Sequence, residues 1–179
     1  MKQQVEVTTW YLEMRSPDQL RPARVDRSDL VIIQAQIPCP AFSRFLYASV
    51  GGSWHWLDRL SWSDERWMAY LDRPQVETWV AYVSGTPAGY IELEAQPAGN
   101  VEIAYFGLLP QFIGQRLGGH LLTVGIQQAW QMQAERIWVH TCSLDGQYAL
   151  KNYQSRGFTL YDTRTAIEVL TPDGSPEVG

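Results

Sequence analysis

The chain has 179 residues, a length that predicts one domain with a substantial buried core. Its formal net charge is −5 and its Lys and Arg residues form no long cluster, which argues against binding to nucleic acid. No apolar run of about 18 residues occurs, and the N-terminus MKQQVEVTTW lacks the apolar segment of a signal peptide. We therefore expect a soluble, cytoplasmic protein that binds no membrane.

The two cysteines, Cys39 and Cys142, offer neither a metal-ligand spacing nor a disulfide framework. We interpret both as reduced thiols, Cys142 buried in a strand and Cys39 open to exposure between two prolines. No metal site is predicted.

The first third of the chain predicts two strands and two helices. Alternating, β-branched residues 5–13 predict a first strand, polar residues 16–29 a surface loop, and residues 30–37 a buried strand. Residues 41–50 predict a helix that ends at Gly51-Gly52. Its expected inward face is Phe42, Phe45, Leu46 and Ser49.

An aromatic stretch follows, WHWLDRLSWSDERWMAYLD. Ser63 is the expected N-cap of a second helix, with acidic residues in the first turn. Trp54, Trp56, Trp62 and Trp67 have two interpretations, packing over the sheet or an aromatic wall around a binding pocket, and both can hold.

The rest of the chain is rich in strand patterns. Residues 78–83 and 88–95 alternate around a Ser-Gly turn and predict a β-hairpin. Residues 136–142 predict a strand, residues 163–170 a last strand, and residues 171–179 a disordered tail. The prediction is thus a single domain over residues 1–170.

A strand, a glycine-bearing turn and a long helix follow one another in residues 101–133. The strand VEIAYFGLLP ends at Pro110, which has no N–H and resists continuing a sheet. Gly114, Gly118 and Gly119 bring bare backbone to the front of the helix, whose first N–H groups have no internal partner. Such a front can bind a pyrophosphate. Tight packing of a core helix on a sheet is the alternative interpretation.

The order of these residues resembles motif A of the GNAT superfamily of acyl-CoA N-acyltransferases. In that family an acidic strand residue and a hydrophobic-x-Pro strand end lead into Arg/Gln-x-x-Gly-x-Gly/Ala. Glu102, Leu108, Pro110 and the segment 113–118 match this pattern. Two positions depart from it: Ile113 replaces the Arg or Gln, and Arg116 replaces the central Gly, which puts a cation beside the expected pyrophosphate.

A second segment, DGQYALKNYQSRGF, resembles the family's motif B, Asn-x-x-Ala-x-x-Leu-Tyr-x-x-x-Gly-Phe. Ala149, Tyr153 and Gly157-Phe158 match, whereas Gly146 replaces the Asn and Asn152 replaces the Leu. The resemblance covers residues 78–170, and its strength lies in the two motifs occurring together at their usual spacing.

The resemblance implies an α+β, three-layer fold with a mixed, mostly antiparallel sheet of about seven strands flanked by helices. It also implies acetyl-CoA as cosubstrate, with no metal, and transfer of an acyl group to a primary amine of a small molecule. In the family two neighbouring strands splay apart to admit the pantetheine arm, and we expect a bulge near Gly107. The residues implied to hold CoA are Phe106, Gly107, Leu108, Gly114, Gln115, Arg116, Leu117, Gly118 and Gly119.

Glu102 matches the catalytic glutamate of some family members, and we expect it to act as general base directly or through water. Because such a base is worth about 10² to 10⁴ in rate, its loss should impair turnover without abolishing it. A solvated strand glutamate is the alternative, and Glu92 and His140 are substitute bases. Tyr153 matches the tyrosine that protonates the CoA thiolate, with helix packing as its alternative and Tyr148 as a weaker candidate.

The acceptor is open at this stage. Asp58, Asp64, Glu92 and Glu94 lie near many tryptophans in the sequence, which suggests a small cationic or aromatic amine. A dinucleotide-binding unit is disfavoured because Gly-x-Gly-x-x-Gly does not follow the strand. A non-catalytic acyl-CoA sensor on the same fold is the second alternative. A homodimer is possible through exposed tryptophans or the last strand edge.

Overall fold

All the strands join one sheet in the computed structural model, which describes residues 3–170. The strands are β1 (Gln3–Met14), β2 (Leu30–Gln34), β3 (Val76–Val83), β4 (Thr86–Gln96), β5 (Asn100–Leu108), β6 (Arg136–Cys142) and β7 (Thr159–Leu170). The helices are α1 (Pro40–Gly51), α2 (Asp64–Leu71), α3 (Leu117–Gln131) and α4 (Ala149–Ser155). The predicted tail, residues 171–179, lies outside the described residues.

The sheet has the order β2-β3-β4-β5-β6-β1-β7. Every neighbouring pair is antiparallel except β5 and β6, which are parallel and are connected by α3. This arrangement confirms the predicted α+β fold with a mixed, mostly antiparallel sheet of seven strands. Strand β1 lies between β6 and β7, so the first and last strands of the described residues are neighbours.

The helices cover both faces of the sheet. The larger core combines sheet residues with Leu121, Leu122 and Ile126 of α3 and with Tyr153 of α4. A second core packs Leu46 and Val50 of α1 against Val80 and Tyr90. Helices α1 and α3 therefore each bury an apolar stripe against the sheet, as amphipathic helices do. Among residues 3–170, no helix is both long and apolar enough to span a bilayer.

Several local predictions are confirmed by the structure. Ser63 caps α2 and accepts a hydrogen bond from the Arg66 N–H at 3.3 Å. Ser84 and Gly85 form the β3–β4 turn, both with positive φ, which suits a two-residue hairpin. Gly157 has φ +104° just after α4, a conformation that favours glycine.

Three local predictions are wrong. The strand after residue 29 is not buried: β2 ends at Gln34 and is an edge strand, with Val31 and Ile33 exposed. Helix α1 is rotated by one position, so that Leu46, Tyr47 and Val50 are buried and Phe45 is exposed. The period of the helix was recognised, but the sequence did not specify which side the sheet would cover.

The third wrong prediction concerns the bulge in β5. It lies at Ala104, three residues before Gly107, because Tyr105 pairs with Glu92 while Ile103 pairs with Leu93. A bulge adds one unpaired residue and bends the strand that carries it. The bend in β5 therefore begins just after Glu102.

Gly125 allows α3 to approach the sheet closely. A Cβ at this position would lie 2.3 Å from the Ile91 Cδ1 atom and 3.0 Å from its Cγ2 atom. Those distances are shorter than van der Waals contact, so a side chain here would force Ile91 to repack or the helix to move away from β4. The glycine therefore allows the close contact between α3 and Ile91.

We predict that Gly125→Ala lowers the free energy of unfolding by about 1–3 kcal/mol, because the added methyl overpacks the core against Ile91. The measurement is urea denaturation. Gly118→Ala is the matched control on the same helix, since a Cβ there meets nothing closer than 3.6 Å. Equal stability of parent and Gly125→Ala would contradict the close approach.

Candidate active site

Strands β5 and β6 diverge soon after they begin to pair. Their parallel ladder joins Asn100 with Arg136, Val101 with Ile137 and Glu102 with Trp138, and no pair follows these among residues 3–170. On its other side β5 stays paired with β4 as far as Leu108. The backbone of β5 beyond Glu102 consequently has free N–H and C=O groups facing the gap, and such groups need partners.

A cavity of about 750 Å³ opens at this divergence. One wall is β5 from Ile103 to Leu108, the opposite wall is the end of β6 with the β6–α4 loop, and Gly118 of α3 lies at one end. Volumes of this size hold drug-sized or cofactor-sized ligands. The lining also includes Val7 and Thr9 of β1, Glu168 of β7, and residues of α4 and of the loop between α1 and α2.

The front of α3 is open. Gly114 has φ +85° and no atom lies within 4 Å of its Cβ position. Arg116, the N-cap residue, makes no side-chain hydrogen bond to the helix, so it does not cap the first N–H groups of α3. Its φ is +65° and its ψ is 9°. Arg116 therefore adopts the left-handed conformation that glycine favours, which explains how a non-glycine residue can occupy that motif position at a cost of about 1 kcal/mol.

The residues predicted to hold CoA separate into three groups. Phe106, Gly107, Leu108 and Gly118 line the cavity, whereas Leu117 is buried in a small core with Val83 and Phe112. The remaining four, Gly114, Gln115, Arg116 and Gly119, lie around the front of α3 outside the cavity walls.

Arg156 is a cation near the helix front that the sequence interpretation missed. Its Nη1 atom lies 3.0 Å from the Cβ position of Gly119. Its Nε atom is buried with no hydrogen-bond partner among the described residues. Burial lowers the pKa of Arg156 from its ordinary value. A guanidinium with a spare donor beside unpaired helix N–H groups suits an anion.

Glu102 lies where the two strands part. One carboxylate oxygen accepts a hydrogen bond from Gln96 Nε2 at 2.7 Å, and Gln96 in turn accepts one from Trp138 Nε1 at 3.0 Å. The other oxygen is 3.8 Å from His140 Nε2. His140 is half exposed and lines the cavity, whereas Glu102 itself is not part of the lining.

Burial raises the pKa of Glu102 to about 7. The hydrogen bond from Gln96 and the charge of Arg59 act in the opposite direction, whereas Glu94 and Glu92 raise the pKa further. Burial also lowers the pKa of His140 below its ordinary value, although Asp145 and Asp58 oppose that shift. Near neutral pH the His140 imidazole is therefore uncharged and the Glu102 carboxyl group is about half ionised. Both groups can accept a proton in this state.

Glu92, a substitute candidate for the base, is occupied elsewhere. Its side chain is almost completely buried, pairs with Arg59 Nη1 at 2.9 Å and accepts a hydrogen bond from Tyr70 Oη at 2.6 Å. A carboxylate held by two donors away from the cavity is poorly placed to take a proton from a ligand.

Tyr153 lies at the floor of the cavity. Its ring packs edge to face on Phe106 and on Phe158, with centroids 6.0 and 5.9 Å apart. Burial raises its pKa well above the ordinary value, so the hydroxyl keeps its proton at neutral pH. Tyr153 therefore belongs to the core and also lines the cavity. Its role as a proton donor stays a prediction. Tyr148 also lines the cavity but is largely exposed.

The altered motif B position lies beside an aromatic ring. A Cβ at Gly146 would be in ordinary van der Waals contact, 3.4 Å, with the ring of Trp54, which belongs to the loop between α1 and α2. The side chain of Asn152, another departure, lines the cavity with its Nδ2 atom 3.6 Å from the Cβ position of Gly118. Neither contact leaves a signal in the sequence, because each joins distant segments.

The carboxylates of the cavity are mostly not those expected from the sequence. Of the four carboxylates suggested by the sequence, Asp58, Asp64, Glu92 and Glu94, only Asp58 lines the cavity. Asp145 and Glu168 also line it and were not predicted. Asp64 is paired with Arg44 and Glu94 with Arg73, at 2.7 Å in the second case. No Lys or Arg side chain is part of the lining among the described residues. Cys142 lines the cavity and is only partly buried, which corrects its prediction as a buried residue.

We predict that the Glu102 carboxyl titrates near pH 7 in the folded protein, because its burial raises the pKa to about 7. The measurement is the carboxyl carbon NMR shift as a function of pH, assigned with Glu102→Gln. Gln96→Leu removes the hydrogen bond that favours the charged form, so it should move the midpoint to higher pH. A titration midpoint of Glu102 near pH 4.5, the ordinary glutamate value, would contradict the raised pKa.

Comparison with solved structures shows a shared fold. A GCN5-related N-acetyltransferase from Kribbella flavida aligns with a TM-score of 0.66 at 17% identity, over 92% of this chain and 59% of that one. An aminoglycoside acetyltransferase from an uncultured soil metagenomic sample aligns with a TM-score of 0.60 at 19% identity, over 72% and 87% of the two chains. The ribosomal-protein-S18-alanine N-acetyltransferase from Escherichia coli gives 0.58 at 15% identity, over 82% and 88%.

Sequence comparison identifies the family. No curated protein matches the chain significantly, and the chain spans less than two thirds of the length of the Kribbella flavida protein. The model of the acetyltransferase (GNAT) family, however, matches residues 41–158, from α1 to the residue just before β7. That match covers well over half of the chain and includes both motifs, so this protein belongs to the GNAT family of acetyltransferases.

Proposed function

We propose that the protein is an N-acetyltransferase that moves an acetyl or other short acyl group from its CoA thioester to a primary amine of a small molecule. The observation that carries this proposal is the gap between β5 and β6, which exposes unpaired backbone beside an uncapped helix front. The similar structures are named for an aminoglycoside and for the alanine of a ribosomal protein, so the fold serves acceptors of different size.

The residues around the gap suit CoA. Free backbone groups from Phe106 to Leu108 would pair with the pantetheine arm, and the open N–H groups at the front of α3 would bind the pyrophosphate. Arg116 and Arg156 would add charge-assisted contacts. Acetyl-CoA supplies an activated acyl group for direct attack by the amine. No group of three or more potential metal ligands occurs among the described residues.

The proposed proton transfers use Glu102, His140 and Tyr153. The amine must lose a proton, which His140 or a water would receive and pass to Glu102, 3.8 Å from the imidazole. The departing thiolate needs a proton, which the Tyr153 hydroxyl would donate, because burial keeps that hydroxyl protonated. Holding both reactants in one cavity replaces a bimolecular collision by an oriented reaction.

We predict that CoA binds the protein and that Gly118→Val weakens the affinity about tenfold or more, because the branched side chain would fill the space before α3. Isothermal titration calorimetry measures both. Gln131→Val at the exposed C-terminal end of α3 is the control for the lower helix propensity of valine. Absence of CoA binding to the parent protein would overturn the proposed function. If CoA binds tightly but no amine causes release of the CoA thiol from acetyl-CoA, the alternative function, a non-catalytic acyl-CoA sensor, would be favoured.

The charge of the cavity favours a cationic or aromatic acceptor. Asp58, Asp145 and Glu168 line it together with Trp54 and Trp56, and among the described residues no Lys or Arg side chain of the lining offsets them. Carboxylates attract an ammonium group, and aromatic faces bind cations and planar rings. An acidic acceptor would be repelled by the same groups.

We predict that spermidine and tyramine are acetylated faster than butylamine, and that glutamate is the poorest acceptor. Mass spectrometry of each reaction with acetyl-CoA measures the products. Asp58→Asn should lower kcat/KM for spermidine about threefold to tenfold, through loss of one cavity charge. Asp64→Asn is the matched control, because Asp64 pairs with Arg44 outside the cavity. Preference for glutamate or butylamine would contradict the acceptor class.

A further inference from the structure

Arg59 is a buried cation in the loop between α1 and α2. We call residues 52–62 the aromatic loop. The Arg59 residue is 7% exposed, and its Nη1 atom donates to the Glu92 carboxylate at 2.9 Å. Glu92 is 2% exposed and lies on β4 in the middle of the sheet. The ion pair therefore connects the loop between α1 and α2 with a strand that is paired on both sides.

Four aromatic rings surround the Arg59 guanidinium. Its Cζ atom lies 4.1 Å from the ring centre of Tyr70 and 4.4 Å from that of Tyr105, with Trp62 at 4.8 Å and Trp67 at 5.6 Å. These distances are within the range of cation–π contact. The rings come from the aromatic loop, α2 and β5, so one side chain joins three elements.

The residues just before Arg59 form the cavity wall. Trp54, His55, Trp56 and Asp58 all line the cavity, and the Arg59 N–H donates to Tyr47 Oη at 3.3 Å. Tyr105 is shared, because it lines the cavity and also packs on the guanidinium. The wall is thus fixed at Arg59 on one side and at the end of α1 on the other.

The ion pair is better explained by positioning than by stability. A buried ion pair loses so much hydration that apolar replacements of similar volume are often equally stable. Its directional bonds nevertheless allow one arrangement of the loop, whereas an apolar contact would allow several. We propose that Arg59 is a positioning residue that holds the aromatic loop over the cavity and thereby determines acceptor binding. This inference rests on the proposed function.

The test compares two charge-pair deletions. Arg59→Met/Glu92→Gln removes the ion pair without leaving an uncompensated buried charge, and glutamine can still accept from Tyr70. Arg73→Met/Glu94→Gln is the matched control. Arg73 pairs with Glu94, which is the next residue after Glu92 on the same face of β4, and its Cζ atom lies 4.6 Å from the ring centre of Tyr70. Arg73 lies outside the aromatic loop, so its removal should leave the loop in place. Urea denaturation checks that both variants are folded.

Two measurements follow. Hydrogen exchange by mass spectrometry should show residues 52–58 exchanging about tenfold faster in the Arg59 variant, since their anchor is lost. With the best acceptor among spermidine, tyramine, butylamine and glutamate, KM for the amine should rise about tenfold while the Kd of CoA changes less than about twofold. The Arg73 variant should match the parent protein in exchange over residues 52–58 and in KM.

Unchanged exchange over residues 52–58 in the folded Arg59 variant would overturn the proposal. An unchanged KM for the amine would overturn it too, as would equal effects in the Arg59 and Arg73 variants, which would indicate general loosening of the fold. Failure of the proposed function is a separate result, because it would show as no CoA binding and no acetylation by the parent protein. In that case the exchange measurement alone decides whether Arg59 holds the loop.

Discussion

The parting of β5 from β6 is the constraint on which the functional geometry depends. Parallel strands bury their edges by pairing along their length, and here pairing ends at Glu102 and Trp138. The bulge at Ala104 bends β5 just beyond that point while β4 keeps its other edge paired. Gly125 meanwhile brings α3 close to Ile91. The result is a gap with free backbone on one wall and a helix front at its end.

Two departures from the family motifs lie at informative places in this geometry. Arg116 has a left-handed backbone, which a glycine adopts without strain, so a glycine at this motif position would also suit the turn before α3. Gly146, in place of asparagine, lies beside the Trp54 ring across the cavity. The first departure therefore concerns the backbone of the turn, and the second concerns a contact with a distant loop.

The acidic residues divide into two classes by their partners. Glu92, Glu94 and Asp64 are paired with arginines and serve the architecture of α1, α2 and β4. Glu102 has no arginine partner in hydrogen-bond range, and its burial raises the pKa to about 7. Environment, and not residue type, therefore separates structural carboxylates from those suited to proton transfer.

The sequence by itself determined the element types, most boundaries, the fold class and the family, since period, caps, turns and two spaced motifs are local properties. It also indicated Glu102, Tyr153 and the glycine turn. It did not determine the place of β1 between β6 and β7, the buried side of α1, or the pairing of Arg59 with Glu92. Those depend on contacts between residues far apart in the chain, such as Trp54 with Gly146, and the tertiary structure alone decides them because packing selects among locally equivalent arrangements.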